Sequence, residues 1–145
     1  MRLPSGNFVD PRTPIYPGSN FTWGEATKNC CRHIQDLKID NKLIITAEEI
    51  EQKIVVTAMS LDDYRAILGD RPIIVTSWYR PVYINQRVGG SKYSRHQYGD
   101  AVDWRSDYLS PKKIAKKLEA NHSSGGYKAY YNFTHTDWRG SKARW

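Results

Sequence analysis

Two histidines and an aspartate lie in two short blocks of the chain whose residue types suit metal chemistry. The first block, residues 94–103, contains His96 and Asp103, and the second, residues 131–137, contains His135. Two imidazoles and one carboxylate can serve as the three protein ligands of a catalytic zinc ion, whose fourth position stays open for water or substrate. These three residues are therefore candidate metal ligands, and with a metal bound the chain would be a hydrolase.

Each of these residues also has an ordinary structural interpretation. A single histidine is more often a hydrogen-bonded polar residue than a ligand, and we assign His33 and His122 to that class. Asp103 by itself could cap a helix or form a salt bridge. Spacing alone leaves both interpretations open, because the separation of His96 and Asp103 is not unique to any chemistry.

The sequence pattern predicts a mixture of helices and strands around these residues. A short helix is predicted from Thr22 to about His33, and one or two packed helices over 46–68, each opened by a threonine with glutamate three residues later. Strands are predicted over 72–78, 100–104, 127–131 and 133–138, with a short helical turn within 82–95 and a helix from Ser110 to about Asn121. Residues 34–45 are predicted to be a connection. An extended N-terminal arm is predicted over 1–20, before a single domain over 21–145.

Strand geometry tells which side chains can share a face. Because side chains alternate along a strand, Asp103 shares a face with the small residue Ala101, which leaves room for an ion. His135 likewise shares a face with Asp137, about 6.6 Å away along the strand. His96 lies on the loop that enters the Asp103 strand, so the three candidate ligands meet only if the last strand pairs nearby.

Composition and charge limit the classes of protein to consider. The 145 residues are 39% apolar and 26% charged, which fits one ordinary globular domain with a single core. Lys and Arg outnumber Asp and Glu by 22 to 15, and this net charge of +7 favours nucleic acid, anionic lipid or an acidic cell-wall polymer as partner. No run of about 18 apolar residues predicts a membrane span. The first residues lack the apolar core of a secretory signal, so a target outside the cytoplasm would require another route of delivery.

Five blocks, in order along the chain, carry a family resemblance. They are Asn20–Thr27, Thr76–Pro81, Asn85 with Val88, Gly89 and Gly90, the block Ser94-x-His96-x-x-Gly99-x-Ala101-x-Asp103, and Gly125–Gly126 with Tyr130 to Arg139. This ordered combination resembles the zinc D-alanyl-D-alanine carboxypeptidases and endopeptidases of peptidase family M15. The C-terminal block is similar to that of subfamily A.

The resemblance implies a fold, a cofactor and a substrate. The fold is of the Hedgehog/DD-peptidase type, an α+β domain with a small antiparallel sheet and helices packed on one side. One Zn2+ ion is held by His96, Asp103 and His135, and the substrate is the stem peptide of peptidoglycan. Arg80 matches a family arginine associated with substrate or transition-state charge, and its forked donors can grip a carboxylate or an oxyanion. A structural salt bridge is the alternative role for Arg80.

The sequence departs from the family pattern at the general base. Many relatives carry Asp or Glu three residues before the last histidine, where this chain has Asn132, which cannot accept a proton from water. We assign the catalytic base to Asp137, which shares a predicted strand face with His135. The alternative is that Asp137 orients a metal ligand instead.

The expected function is a zinc-dependent peptidoglycan peptidase of the D-Ala-D-Ala carboxypeptidase type, as a phage-type lysin acting on the cell wall. A murein endopeptidase that cuts cross-links, and a catalytically weak structural component of a virion that contacts other phage proteins, are the alternatives. A nucleic-acid-binding module belongs to a different class. It would suit a basic chain with ten Tyr and five Trp, but no nucleic-acid motif occurs, so no such partner is expected.

Overall fold

The chain forms four α-helices and seven β-strands, and the computed structural model describes all 145 residues. The helices are α1 (Trp23–Ala26), α2 (Ala47–Ile67), α3 (Val82–Arg87) and α4 (Pro111–Glu119). The strands are β1 (Leu37–Ile39), β2 (Lys42–Ile45), β3 (Ile74–Ser77), β4 (Ala101–Arg105), β5 (Gly126–Ala129), β6 (Thr134–Asp137) and β7 (Ala143–Arg144). A short 3-10 helix, Arg95–Tyr98, precedes β4.

The main sheet has five strands in the order β3-β4-β6-β5-β7. All neighbours are antiparallel except β7, which runs parallel to β5 at one edge. The remaining two strands, β1 and β2, form a separate antiparallel hairpin. This arrangement confirms the predicted α+β class with a small, mainly antiparallel sheet. The edge strand β7 was not predicted, because two residues are too few to show an alternating pattern.

The hydrophobic core lies on one face of this sheet. Val102 and Trp104 of β4 are fully buried there, and the Trp104 indole donates a hydrogen bond of 3.0 Å to the Thr136 hydroxyl of β6. The helices contribute the fully buried side chains of Ile50, Ile54, Ala58 and Leu61 from α2, and of Ile114 and Leu118 from α4. Since side chains alternate along β4, Asp103 points to the opposite face. The helices therefore leave that face free for the candidate site.

The helix α2 begins and ends where local sequence signals place it. Thr46 and Glu49 form a reciprocal capping box at its first turn, in which the Thr46 hydroxyl accepts a hydrogen bond of 3.2 Å from the Glu49 amide. The helix ends at Ile67, just before Gly69 takes a left-handed φ of 83°. Ser60, a possible start of a second helix, lies inside α2, where its hydroxyl donates to the Val56 carbonyl. The sequence over 46–68 thus forms one helix.

The prediction of a helix from Thr22 to about His33 is wrong in its length. The helix α1 stops at Ala26, and Lys28, Asn29 and Cys30 follow with φ values of 53°, 57° and 64°. Three consecutive left-handed residues cannot continue a right-handed helix, so the chain turns away here. The cysteine pair that includes Cys30 is unbonded, as adjacent cysteines are expected to be.

The prediction of a connection over 34–45 is also wrong, because this segment contains the β1–β2 hairpin. Asp40 and Asn41 form its two-residue turn with φ values of 53° and 65°. Such turns favour Asp and Asn, whose side chains tolerate the left-handed region. The Asp-Asn pair between short apolar segments was therefore the missed signal.

The N-terminal residues 1–20 lie over the helical side of the domain. Leu3, Val9 and Ile15 are buried in the core cluster. The Asp62 carboxylate on α2 accepts hydrogen bonds from the Tyr16 and Ser19 hydroxyls, and Asn20 donates to it from its amide nitrogens as well. None of the helices combines the length and apolar character needed to cross a lipid bilayer.

Candidate metal centre

The central strands β4 and β6 place two of the candidate ligands side by side. Asp103 and His135 are directly paired in the antiparallel register of these strands. His96 lies in the 3-10 helix that leads into β4, and Gly99 ends that helix with a left-handed φ of 81°. The expectation that the last strand must pair nearby is met, and all three side chains converge on one face of the sheet.

The donor atoms of His96, Asp103 and His135 all lie within 4.8 Å of one another. Asp103 Oδ1 is 3.2 Å from His96 Nε2 and 2.9 Å from His135 Nδ1. Donors bound to one tetrahedral zinc ion at about 2.1 Å lie about 3.4 Å apart, so small side-chain shifts admit an ion. The donor set and its spacing therefore fit a zinc ion.

Each imidazole ring is oriented by a hydrogen bond at the nitrogen that faces away from the cluster. For His96, Nδ1 lies 2.7 Å from the Trp78 carbonyl oxygen, and it donates to that acceptor. For His135, Nε2 lies 2.9 Å from Asp137 Oδ2 and donates to it. With an ion bound between the two rings and Asp103, these contacts would direct the lone pairs of His96 Nε2 and His135 Nδ1 at it, the arrangement that metal-ligating histidines show.

Asp137 is a fully buried carboxylate that lies behind His135. Arg139 donates to both of its oxygens, from Nε at 2.7 Å and from Nη2 at 2.6 Å. The Gly126 amide donates to Oδ1 at 3.1 Å. Both oxygens of Asp137 are thus engaged by the protein itself.

The surroundings of Asp103 and Asp137 lower the pKa of both carboxyl groups and keep them ionised. Burial opposes ionisation of Asp103, but its hydrogen bonds with His135 and His96 outweigh this and hold its pKa well below the usual range. For Asp137, burial is likewise outweighed by hydrogen bonds with Arg139 and His135, so its pKa is also far below normal. Burial disfavours the charged form of His135, yet its hydrogen bonds to Asp103 and Asp137 raise its pKa above the usual value. Asp103 is thus ionised and can serve as an anionic ligand, while the charge of Asp137 is paired with Arg139.

Arg80 lies at the edge of the cluster, between β3 and α3. Its Nη2 donates to Asp103 Oδ2 at 3.2 Å and its Nε donates to the Ser77 hydroxyl at 3.1 Å. The side chain also lines the cavity that opens over His96, Asp103 and His135. Both predicted roles of Arg80 are therefore compatible with its position, since it is salt-bridged and still faces the cavity.

An open cavity of about 680 Å3 lies over His96, Asp103 and His135. Its wall includes the cationic side chains of Arg80, Arg95 and Arg139 and the aromatic side chains of Tyr93, Tyr130, Phe133 and Trp145. Asp103 is the only carboxylate in this wall, and Asp137 does not reach it. Asn132 lines a different surface cavity, beside Arg105 and Tyr108, so it lies away from the candidate site.

Two residues near the site were not predicted from the sequence to have a role there. The Trp145 ring packs 5.6 Å from the His135 ring, and the Arg139 guanidinium lies 5.1 Å from the centre of the same indole. Arg139 follows Asp137 by two residues, which is a local signal for an ion pair. Trp145 reaches the site only because β7 pairs with β5, and no sequence pattern indicates that contact.

Comparison with known proteins identifies the family of this chain. A family model described as Peptidase M15 matches residues 20–137, which is well over half of the sequence. The zinc D-Ala-D-Ala carboxypeptidase of Streptomyces albus G is 39% identical over 94 residues, or 65% of this chain. The match spans 32% of that relative, about a third of its length. The family-model match and the site geometry lead to the same assignment: the chain belongs to the Peptidase M15 family.

Proposed function

We propose that the protein is a zinc-dependent peptidase that hydrolyses D-alanyl bonds in the stem peptide of peptidoglycan, as a D-Ala-D-Ala carboxypeptidase. The observation that carries this proposal is the convergence of two imidazoles and a carboxylate within 4.8 Å under an open cavity. Membership of the Peptidase M15 family supports the reaction class. The name of the Streptomyces relative supports zinc and the D-alanyl substrate.

In this proposal His96 Nε2, an Asp103 oxygen and His135 Nδ1 hold the zinc ion. When bound, zinc polarises an amide carbonyl and makes water acidic enough to serve as a nucleophile near neutral pH. The chain itself fixes the ligands, because the Trp78 carbonyl orients His96 and Asp137 orients His135. Fixed ligands keep the donor atoms in place before the substrate arrives.

Arg80 binds the negative charge of the substrate in this proposal. Two of its three guanidinium nitrogens are engaged by Asp103 and Ser77, and Nη1 has no partner in the chain. A terminal carboxylate or the oxygen of the tetrahedral intermediate can accept from Nη1 in the cavity. Arg80 thus remains the proposed residue for substrate charge.

Of the two roles left open for Asp137, the contacts favour orientation of His135. A general base must reach the cavity and have a lone pair free to take a proton. The carboxylate of Asp137 is fully buried, is held by Arg139 and Gly126, and has a pKa far below normal. We therefore propose Asp137 as a positioning residue and no longer as the base.

The proposed setting is the cell wall, with the protein acting as a lysin of phage type. A net charge of +7 suits attraction to a polyanionic wall. An endopeptidase that cuts cross-links is the second candidate, because the open cavity of about 680 Å3 has room for residues on both sides of the scissile bond. Binding to other virion proteins belongs to the structural alternative.

Mass analysis of peptidoglycan fragments tests these proposals together. The zinc-loaded protein is incubated with a soluble pentapeptide that ends in D-Ala-D-Ala and with cross-linked muropeptides. Release of D-alanine alone supports the carboxypeptidase, and cleavage of cross-links supports the endopeptidase. The matched control is His96→Ala, which removes one metal ligand. Intact substrates in the presence of stoichiometrically bound zinc would contradict both activities and favour the structural role.

A further inference from the structure

The helix α4 carries an unusual concentration of unpaired positive charge. Four of its nine residues are exposed lysines, here called the α4 lysines: Lys112, Lys113, Lys116 and Lys117. None of them takes part in a salt bridge. The only acidic residue of the helix, Glu119, pairs with Lys142 and Arg144 instead.

This arrangement works against the helix that carries it. Lys112 and Lys113 lie in the first turn, where the helix dipole disfavours positive charge, and no acidic residue accompanies them. The pairs Lys112–Lys116 and Lys113–Lys117 are four residues apart, so like charges are neighbours on the helix surface. Lys116 and Lys117 lie in the last turn, where the dipole favours positive charge, but no carboxylate of the chain pairs with any of the four lysines. A locally unfavourable pattern without an internal partner points to a partner outside the chain.

The burial pattern of α4 argues against a membrane as that partner. A helix that lies on a lipid surface inserts an apolar face. The apolar residues Ile114 and Leu118 of α4 are fully buried in the protein core instead. Only the charged side of the helix is free, and it can offer electrostatic contacts alone.

The surroundings of α4 offer little for the stacking of successive bases in a single-stranded nucleic acid. Such sites combine positive charge with exposed aromatic rings on which bases stack. The aromatic residue closest in sequence to the α4 lysines is Tyr108, which is 61% exposed, but the Arg71 guanidinium lies over its ring at 5.0 Å and occupies one face. A polymer that offers repeated phosphates without bases fits this surface better.

We propose that the α4 lysines bind the phosphodiester polymer of the cell wall and so hold the protein on its substrate. The choice of a wall polymer rests on the proposed peptidoglycan activity. Lysine ammonium groups act as point charges that suit phosphate, and several contacts to one polyanion release its counterions together. Because α4 packs on the core face of the sheet while Asp103 points to the other face, bound polymer leaves the cavity open.

Two charge-matched variants test this surface. In the α4 variant the changes are Lys112→Gln, Lys113→Gln, Lys116→Gln and Lys117→Gln. In the control the changes are Arg12→Gln, Lys28→Gln, Lys38→Gln and Lys42→Gln, all exposed positions without a salt bridge. Both variants lose the same formal charge, so any difference between them reports the position of the charge.

The probe is end-labelled linear poly(glycerol phosphate), and its dissociation constant is measured at several salt concentrations. We expect the α4 variant to bind about tenfold or more weakly at roughly 0.1 M salt, with a salt slope smaller by about 2 to 3. The control should change the affinity by less than about threefold. Thermal unfolding of the α4 variant should be unchanged or shifted upward, since repulsion is relieved and glutamine has a helix propensity similar to that of lysine.

Three results would overturn the proposal. The first is an unchanged affinity of the α4 variant for the polymer, and the second is an equal loss of affinity in the control. The third is that the same lysines bind single-stranded DNA or phosphatidylglycerol vesicles more tightly than they bind the polymer. The assay contains no peptide, so it is independent of catalysis. Polymer binding without cleavage of the soluble pentapeptide would contradict the proposed peptidase alone, and cleavage without polymer binding would contradict this inference alone.

Discussion

Asp103 and Asp137 are both held ionised, yet they lie on different sides of the same imidazole. Asp103 faces Nδ1 of His135 and the cavity, whereas Asp137 faces Nε2 and the protein interior. Residue type alone made each aspartate a candidate for metal binding or proton transfer. The ring orientation of His135 distinguishes their proposed roles: Asp103 as a metal ligand and Asp137 as the carboxylate that positions His135.

Asp137→Asn tests this division of roles. We expect zinc affinity to fall about 10- to 100-fold, because loss of a carboxylate that orients a ligating histidine costs this much in metal sites. Competition with a chromophoric chelator measures the affinity. The control, Asp107→Asn, changes an exposed carboxylate paired with Arg105 and should leave zinc affinity unchanged. Normal zinc affinity with lost turnover in Asp137→Asn would restore the general-base role.

Metal binding should depend on pH through His135. A proton and a metal ion compete for this imidazole, and its raised pKa extends that competition above the pH at which a free histidine titrates, about 6.5. Zinc affinity should therefore rise with pH until the raised pKa is passed and then level off. Calorimetry in buffers of different ionisation enthalpy counts the protons released. Affinity that is constant across this range would show that His135 is not a ligand.

In the metal-free protein the raised pKa of His135 makes folding stability fall with pH, whereas zinc affinity rises with pH. A raised folded-state pKa contributes stability that is present below the unfolded-state pKa of His135 and is lost as pH rises through the folded-state pKa. The depressed pKa values of Asp103 and Asp137 contribute stability above the usual aspartate pKa, which is lost as the solution is acidified below it. Zinc thus replaces a proton that itself stabilises the folded protein.

At the scale of single elements, end signals in the sequence were more informative than the lengths of apolar runs. The capping box of Thr46 and Glu49 and the serine before Pro111 mark the true starts of α2 and α4. The same box at Thr22 marks the start of α1 but not its early end, since consecutive left-handed residues have no strong signature. The two-residue strand β7 forms through its partner β5 and cannot be recognised from its own sequence.

Thr46→Ala should destabilise the protein by about 1 kcal/mol, because the Glu49 amide loses its acceptor in the first turn of α2. The midpoint of thermal unfolding should fall by about 2 to 5 °C. The control is Ser60→Ala in the same helix, where the hydroxyl bonds only the Val56 carbonyl of the preceding turn. Equal effects of the two changes would exclude a specific contribution of the cap.

In the whole molecule, the hydrophobic core and the candidate metal centre lie on opposite faces of one sheet. Helices α2 and α4 build the core on the face of Val102 and Trp104, and the candidate metal centre lies on the face of Asp103. Residue alternation in the two blocks predicted which side chains share a face. The pairing of β4 with β6 brings Asp103 opposite His135 and joins distant parts of the chain. No local pattern predicts which strands pair. The sequence showed only that Asp103 and His135 could form one site if their strands paired.

Zinc should stabilise the whole domain by mass action. At a free concentration about 1,000 times its dissociation constant, a ligand that binds only the folded state adds about 4 kcal/mol. Differential scanning calorimetry with and without zinc measures the shift in unfolding temperature. The matched control is Asp103→Asn, which should show little or no shift. An equal shift in that variant would place the stabilising ion elsewhere on the protein.

From the positions of the three proposed ligands we also expect an order in which they release the metal. Asp103 and His135 belong to β4 and β6, and each of these strands is hydrogen-bonded to neighbours on both sides. His96 belongs to a four-residue 3-10 helix outside the sheet. We expect amide hydrogen exchange to remain slow at Asp103 and His135 even without the ion, and to quicken first around His96. Dissociation of the metal would then begin at His96, while β4 and β6 hold Asp103 and His135 in position to bind another ion.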